Sequence, residues 1–225
     1  MVRLRQHGAW LVTLTLWVCV LSSVLPGQVT AMDYDSIAFE CLIAAADTIV
    51  LGRAERHPSG AYQVEVTEVV AGERLTGPLQ FEVSPWQGPA TQPSGTALLF
   101  LRRPAGKPNF EVVGPSAEGW LPVQDERVRL AGIAMRDGPG PAVPRDAPQL
   151  ALAPLVDALR ALDACVKWSR DPEHARVRAT LVCDEDRLKA VRQQSTVSAY
   201  LVTAAVRASA GEGIPCLAVA APRPR

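Results

Sequence analysis

The chain has 225 residues, 23 Lys and Arg against 23 Asp and Glu, and 48% hydrophobic side chains. That much apolar material builds a core and excludes a globally disordered chain. The balanced charge lacks the basic surplus of a nucleic-acid binder or of a protein held on an anionic membrane.

Residues 1–31 read as a signal peptide. Arg3 and Arg5 form a positive n-region, and Ala9 to Leu25 is an uncharged apolar run. Its length is short for a membrane span, which needs about 20 residues. Pro26-Gly27 breaks the run, and Val29-Thr30-Ala31 supplies small residues for cleavage, expected after Ala31. A retained anchor is the alternative. Cys19 follows the bulky Trp17 and Val18, which argues against a lipobox. Loss of Arg3 and Arg5 leaves 21 basic side chains of the 23, against 23 acidic. The expected location is secreted or periplasmic, with no membrane span after cleavage.

Beyond Met32, Ile37, Cys41 and Ala44 recur at helical spacing, with Asp35 or Ser36 available as N-cap. Thr48 to Ala54 reads as a strand whose Gly52 marks a bulge or bend. His57-Pro58-Ser59-Gly60 is a turn. Tyr62, Val64 and Val66 then alternate with polar residues, and the alternation slips at Glu68-Val69-Val70. Leu79, Phe81 and Val83 alternate again. Pro85 to Gly95 is a polar loop carrying Trp86, Gln87 and Gln92. Thr96 to Leu101 is a continuous apolar run, the pattern of a strand covered on both faces. Phe110 to Val113 is a further short strand, Trp120, Leu121 and Val123 alternate weakly, and Arg127 to Leu130 is expected to end the barrel.

Residues 138–148 form a Pro/Gly linker, after which the period changes. Leu152, Leu155, Val156, Leu159, Leu162 and Val166 mark an amphipathic helix with Pro154 near its start. Asp171-Pro172-Glu173 predicts a second helix, and Asp184 starts a third. A fourth begins at a cap on Thr196 or Ser198 and stops at Gly211. The tail, 212–225, is rich in Pro and Ala and frays unless Cys216 pins it. The expected fold class is α+β: a small OB-like antiparallel β-barrel over 32–137, then a helical segment over 149–211.

The barrel segment carries Ala46-Asp47-Thr48-Ile49-Val50-Leu51-Gly52-Arg53, then Tyr62 to Val66 with Val69-Val70-Ala71-Gly72, then Gly95 to Leu101. Over about residues 39–130 it resembles the netrin-like module, the OB-barrel of tissue inhibitors of metalloproteinases. The resemblance implies the barrel fold. Inhibition in that family depends on an N-terminal cysteine in a C-x-C pair, whose amino group and carbonyl bind the protease zinc. Here the first cysteine after the signal is Cys41, and it stands in no C-x-C pair. The likeness therefore extends to fold and not to an inhibitory site.

Cys41, Cys165, Cys183 and Cys216 remain after cleavage. An even number in an exported chain points to two disulfides, with three possible connectivities. A Cys165–Cys183 bridge would staple two consecutive predicted helices, and Cys41–Cys216 would then join barrel to tail. Buried free thiols are the alternative. A zinc site is disfavoured, since no cysteine lies in a C-x-x-C pair or near a histidine at ligand spacing. His57 and His174 fall in a turn and at a helix start, and the serines lack a nucleophile-elbow setting. Asp184-Glu185-Asp186 lacks calcium-loop spacing and suits a helix N-terminus. No catalytic residue, metal ligand or cofactor is assigned. Trp86, in a loop on a barrel, is the candidate contact residue, with a return into the barrel end as its other role. Arg102-Arg103 reads as a solvated turn. The expected function is an exported, non-enzymatic binding or scaffolding domain for another extracytoplasmic protein. The alternative is an inhibitor or regulator of an extracytoplasmic enzyme acting through barrel-rim loops.

Overall fold

The computed structural model describes residues 37–58, 61–75, 79–82, 94–114, 118–130, 133–135, 149–171, 176–211 and 213–216. The signal segment, the 138–148 linker, His174 and the Trp86, Gln87 and Gln92 loop lie outside these residues.

Strand β5 (Gly95–Arg102) is the axis of the fold. Its pleat sends Ala97, Leu99 and Leu101 into one core and Leu98 and Phe100 into another. No residue from Ala97 to Leu101 is more than 1% exposed, which accounts for the unbroken apolar run. On one side β5 pairs with β2 (Thr48–Arg56), which pairs with β3 (Tyr62–Gly72), which pairs with β4 (Leu79–Glu82). Strand β6 (Phe110–Val112) lies between β4 and β5 and closes the ring. The pairing of β4 with β6 is parallel, Phe81 opposite Phe110, so the barrel is mixed and not wholly antiparallel. Five strands cannot alternate direction around a closed ring, and one parallel pair is unavoidable.

The slip in alternation along β3 has a geometric cause. The β2–β3 register shifts between Ile49 and Val50 and again between Leu51 and Gly52. Two extra residues therefore enter β3, bending it around the barrel. Gly52 sits at the second shift, where a Cβ would lie 2.6 Å from the Glu65 carbonyl oxygen. Inside the ring Tyr62 stacks on Phe81 at 5.6 Å, and both meet the Trp120 ring edge-on.

The sheet does not stop at Leu130. Trp120 lies on β7 (Trp120–Gln124), which pairs with β5 and with β8 (Arg127–Arg129). The connecting Asp125 and Glu126 both have positive φ, 51° and 57°, as a two-residue type I′ hairpin requires. Beyond the linker, β10 (Gln149–Ala151) returns to pair with β8.

Helix α1 (Phe39–Ala45) is buried along its whole length. Its N-cap is Ala38, with no side-chain cap bond, in place of the expected Asp35 or Ser36. Ile37 and Ala38 form β1 (Ile37–Ala38), pairing in parallel with β9 (Ile133–Ala134), and this pairing delays the helix start. Helix α2 (Leu152–Cys165) follows the predicted stripe, with Leu155, Val156, Leu159 and Leu162 buried. Val166 leaves the helix as the first residue of β11 (Val166–Asp171).

The helix predicted at Asp171-Pro172-Glu173 is absent from residues 176–181. Strand β12 (Arg176–Leu181) forms an antiparallel hairpin with β11, and β13 (Ile214–Pro215) adds a third strand. An Asp-Pro pair serves a turn as readily as a helix cap. The alternating Val177, Ala179 and Leu181 decide for strand, with Val177 and Ala179 buried. Asp184 caps α3 (Glu185–Arg192) by accepting from the Arg187 amide at 2.8 Å. Helix α4 (Thr196–Ser209) is capped by Ser195, one residue before the expected Thr196, and Ser198 is buried inside it. Gly211, at φ 86°, ends the helical path as expected.

Barrel and helices share a core. Ile49, Val70, Leu98, Phe100 and Leu121 from the barrel sheet pack in one cluster with α1, α2 and α4. Among the described residues, no helix is long and apolar enough to cross a membrane.

Candidate functional site

All four cysteines of the predicted mature chain are paired, Cys41 with Cys216 and Cys165 with Cys183. Cys183 follows β12 and does not lie on a helix, so its bridge closes the base of the β11–β12 hairpin. The Val182 amide bonds the Cys165 carbonyl beside it at 2.9 Å. Cys41, 1% exposed within α1, ties the N-terminal helix to β13 and pins the tail at Cys216.

The remaining basic candidates are largely neutralised. Arg102 pairs with Glu111 at 3.7 Å. Arg103 pairs with Glu73 at 3.3 Å and stacks over the Phe110 ring at 4.5 Å. His57 is exposed at the end of β2, with its amide bonded to the Ala61 carbonyl. Asp184, Glu185 and Asp186 sit at the cap and first turn of α3. No group of three metal-ligating side chains occurs among the described residues.

Two surfaces stand out. The first is the outer face of β2 and β3, a solvent-open groove lined by Arg53, Glu55, Gln63, Glu65 and Thr67. These positions alternate with the buried Ala54, Tyr62 and Val64, so the pleat that fills the barrel also displays a mixed-charge outer row. Arg53 and Glu55 pair at 3.0 Å across that face.

The second is a cleft of about 200 Å³ where β11 meets the start of β2, the end of β3 and α2. Its walls include Asp47, Gly72, Asp163, Lys167, Trp168 and Arg170. Asp47 accepts from Arg170 Nη2 at 2.8 Å and from the Arg103 amide at 2.7 Å. Gly72 takes φ 85°, and a Cβ there would collide with the Asp47 carbonyl oxygen at 2.2 Å. Lys167 Nζ reaches the Asp163 carbonyl oxygen at 3.5 Å. Trp168 Nε1 is buried and has no hydrogen-bond partner among the described residues. A buried donor left unpaired costs about 1–3 kcal/mol, so this nitrogen calls for an explanation. Trp120 Nε1 also has no partner among the described residues, but it lies in the barrel interior beside the Tyr62 and Phe81 rings.

No family model, curated protein or solved structure matches this chain.

Two positions escape a sequence reading. Glu40 is 2% exposed and accepts a hydrogen bond from the Tyr200 hydroxyl. Its signal is a single charge inside the otherwise apolar IAFECLIAAA. Trp168 lies between the helix expected through Val166 and the one expected from Asp171, where the sequence reading places no element. Alternation from Val166 through Trp168 to Arg170 is the pattern that places these three on one strand face.

Proposed function

We propose that the chain is an exported, non-enzymatic binding domain that presents contact residues on the rim of a disulfide-anchored, OB-like barrel. The observation that carries this reading is the anchoring of the β4–β5 connection. The chain leaves β4 beside the fully buried Phe81 and re-enters at Gly95, which pairs with Ala54 of β2. A connection held at both ends by a rigid barrel is where binding surfaces concentrate. Trp86 supplies an aromatic anchor there, with Gln87 and Gln92 as polar contacts. The four paired cysteines support folding in an oxidising compartment, secreted or periplasmic.

The closed order β2-β3-β4-β6-β5 supports the OB-like barrel of this proposal, and netrin-like kinship rests on the sequence resemblance alone. Zinc chelation is not part of it, because Cys41 lies mid-helix, buried and bonded to Cys216. The partner is another extracytoplasmic protein. If that partner is an enzyme, the domain acts as its inhibitor or regulator through the same rim.

The test is capture of partners from the protein's own envelope or culture fluid by the oxidised mature chain and by its Trp86→Ala variant. The reading expects one partner to be lost from the variant while the melting curve stays unchanged. Identical capture by both proteins would contradict it.

A further inference from the structure

We propose that the open edge of β11 takes up an extended acidic peptide of another protein as a further antiparallel strand. The peptide backbone pairs with Trp168 and Arg170, and its outward carboxylates meet Lys167 and Arg178. This surface is separate from the barrel rim, so its failure leaves the rim reading untouched.

Three observations converge. The first is the phase of the backbone hydrogen bonds. Strand β11 pairs with β12 alone, and β12 separates it from β13. The Val182 amide bonds the Cys165 carbonyl, which makes Cys165 and Val182 a hydrogen-bonded pair. Along an antiparallel ladder such pairs alternate with non-bonded ones. Lys167, Ser169 and Asp171 therefore turn their amides and carbonyls to β12, opposite Thr180, Arg178 and Arg176. Trp168 and Arg170 turn theirs away from it. Among the described residues, no backbone group bonds either of them on that side. Two donors and two acceptors are left at a two-residue repeat of about 6.8 Å. A second extended backbone matches that repeat, and a compact ligand does not.

The second is access. Lys167, Ser169 and Arg170 are exposed. The cleft beside β11 touches Val166, Lys167, Trp168 and Arg170, residues of both strand faces, so it opens along the edge between them. The buried indole nitrogen of Trp168 takes no part. The third is charge. The register sets Lys167 opposite Thr180 and Arg178 opposite Ser169, which makes the two cations diagonal neighbours on the outer face. Both are exposed, and neither forms an ion pair among the described residues. Lys167 Nζ reaches a backbone carbonyl, that of Asp163, and Arg170 on the inner face is already held by Asp47. Side chains of an added strand alternate in step with β11. Those opposite Trp168 share its inner face, which packs against the shared core, and those opposite Lys167 and Ser169 face outward. Small apolar residues alternating with carboxylates suit both faces. A second copy of this chain would instead bring its own Lys167 and Arg170 to the same edge, cation against cation.

The experiment is amide-resolved NMR of the oxidised mature protein. In the free protein the Trp168 and Arg170 amides should exchange at least about tenfold faster than those of Lys167 and Ser169. A blocked peptide of alternating glutamate and valine should shift and protect the first two amides saturably, with half-saturation on the order of 1 mM. N-methylation of its valines, whose amides face β11 in the paired strand, should abolish binding. N-methylation of its glutamates should leave binding within about twofold. Lysine in place of glutamate in the peptide, or Lys167→Glu in the protein, should weaken binding about fivefold or more without moving the melting temperature. Trp168 and Arg170 amides indifferent to about ten times that peptide concentration overturn the proposal. Equal binding by the two N-methylated peptides, or by the lysine peptide and its glutamate parent, overturns it as well. So does protection of these amides in the free protein: lost on dilution, it assigns the edge to a second copy, and retained, to the chain itself.

Discussion

Tyr200 on α4 donates its hydroxyl hydrogen bond to the side chain of Glu40 on α1, across 160 residues of chain. Both residues are buried, Glu40 to 2% exposure and Tyr200 to 7%. The contact joins the first described helix to the last, inside the core that barrel and helices share. Tyr200→Phe preserves the ring and removes the donor, leaving a buried carboxyl oxygen without that bond. The expected loss is about 1–3 kcal/mol of unfolding free energy, read from the urea midpoint at constant m-value. A variant as stable as the wild type would show that the contact contributes nothing.

The two disulfides should differ in worth. In the loop-entropy account, closing the 175-residue separation of Cys41–Cys216 stabilises by about 5 kcal/mol. The 18-residue separation of Cys165–Cys183 gives about 3 kcal/mol. Chemical denaturation of the Cys41→Ala/Cys216→Ala and Cys165→Ala/Cys183→Ala double variants checks the order. A larger loss from the hairpin bridge would contradict it.

Glycine tolerance should follow the contacts a Cβ would meet. Gly72 combines φ 85° with an Asp47 carbonyl oxygen 2.2 Å from the Cβ position, whereas Gly106, at φ 76°, opens onto empty space. Gly106→Ala should cost about 1 kcal/mol, the conformational term alone. Gly72→Ala should cost distinctly more, and thermal melts of the two variants would reveal it. Equal melting temperatures would mean that the β3 end relaxes freely.

At the start of α3, Asp184→Ala removes the acceptor for the Arg187 amide and should cost about 1 kcal/mol. Glu185→Ala, which leaves the cap in place, should cost only a few tenths from the helix dipole. A reversed order in thermal denaturation would argue against the capping role of Asp184.

Much of the barrel was legible because its signals are local. The Ala97–Leu101 run, the slip at Glu68-Val69-Val70 and the bend at Gly52 each reflect a single strand's burial or register. The β11–β12 hairpin was misread because Asp171-Pro172-Glu173 fits a helix cap and a turn equally well. Only the alternation of Val177 and Ala179 separates the two. The cap of α1 was misplaced because Ile37 and Ala38 pair with Ile133 and Ala134, nearly a hundred positions away. The cleft could not be anticipated at all. Asp47 and Arg170 are 123 residues apart, and nothing in either neighbourhood announces the other.

We propose an exported domain held together by two specific disulfides. Its most direct test is peptide mapping, under non-reducing conditions, of the native protein recovered outside the cytoplasm. The account predicts no alkylatable thiol and two linked peptide pairs, Cys41 with Cys216 and Cys165 with Cys183. Four alkylatable thiols, or either cysteine of one pair linked into the other, would contradict it.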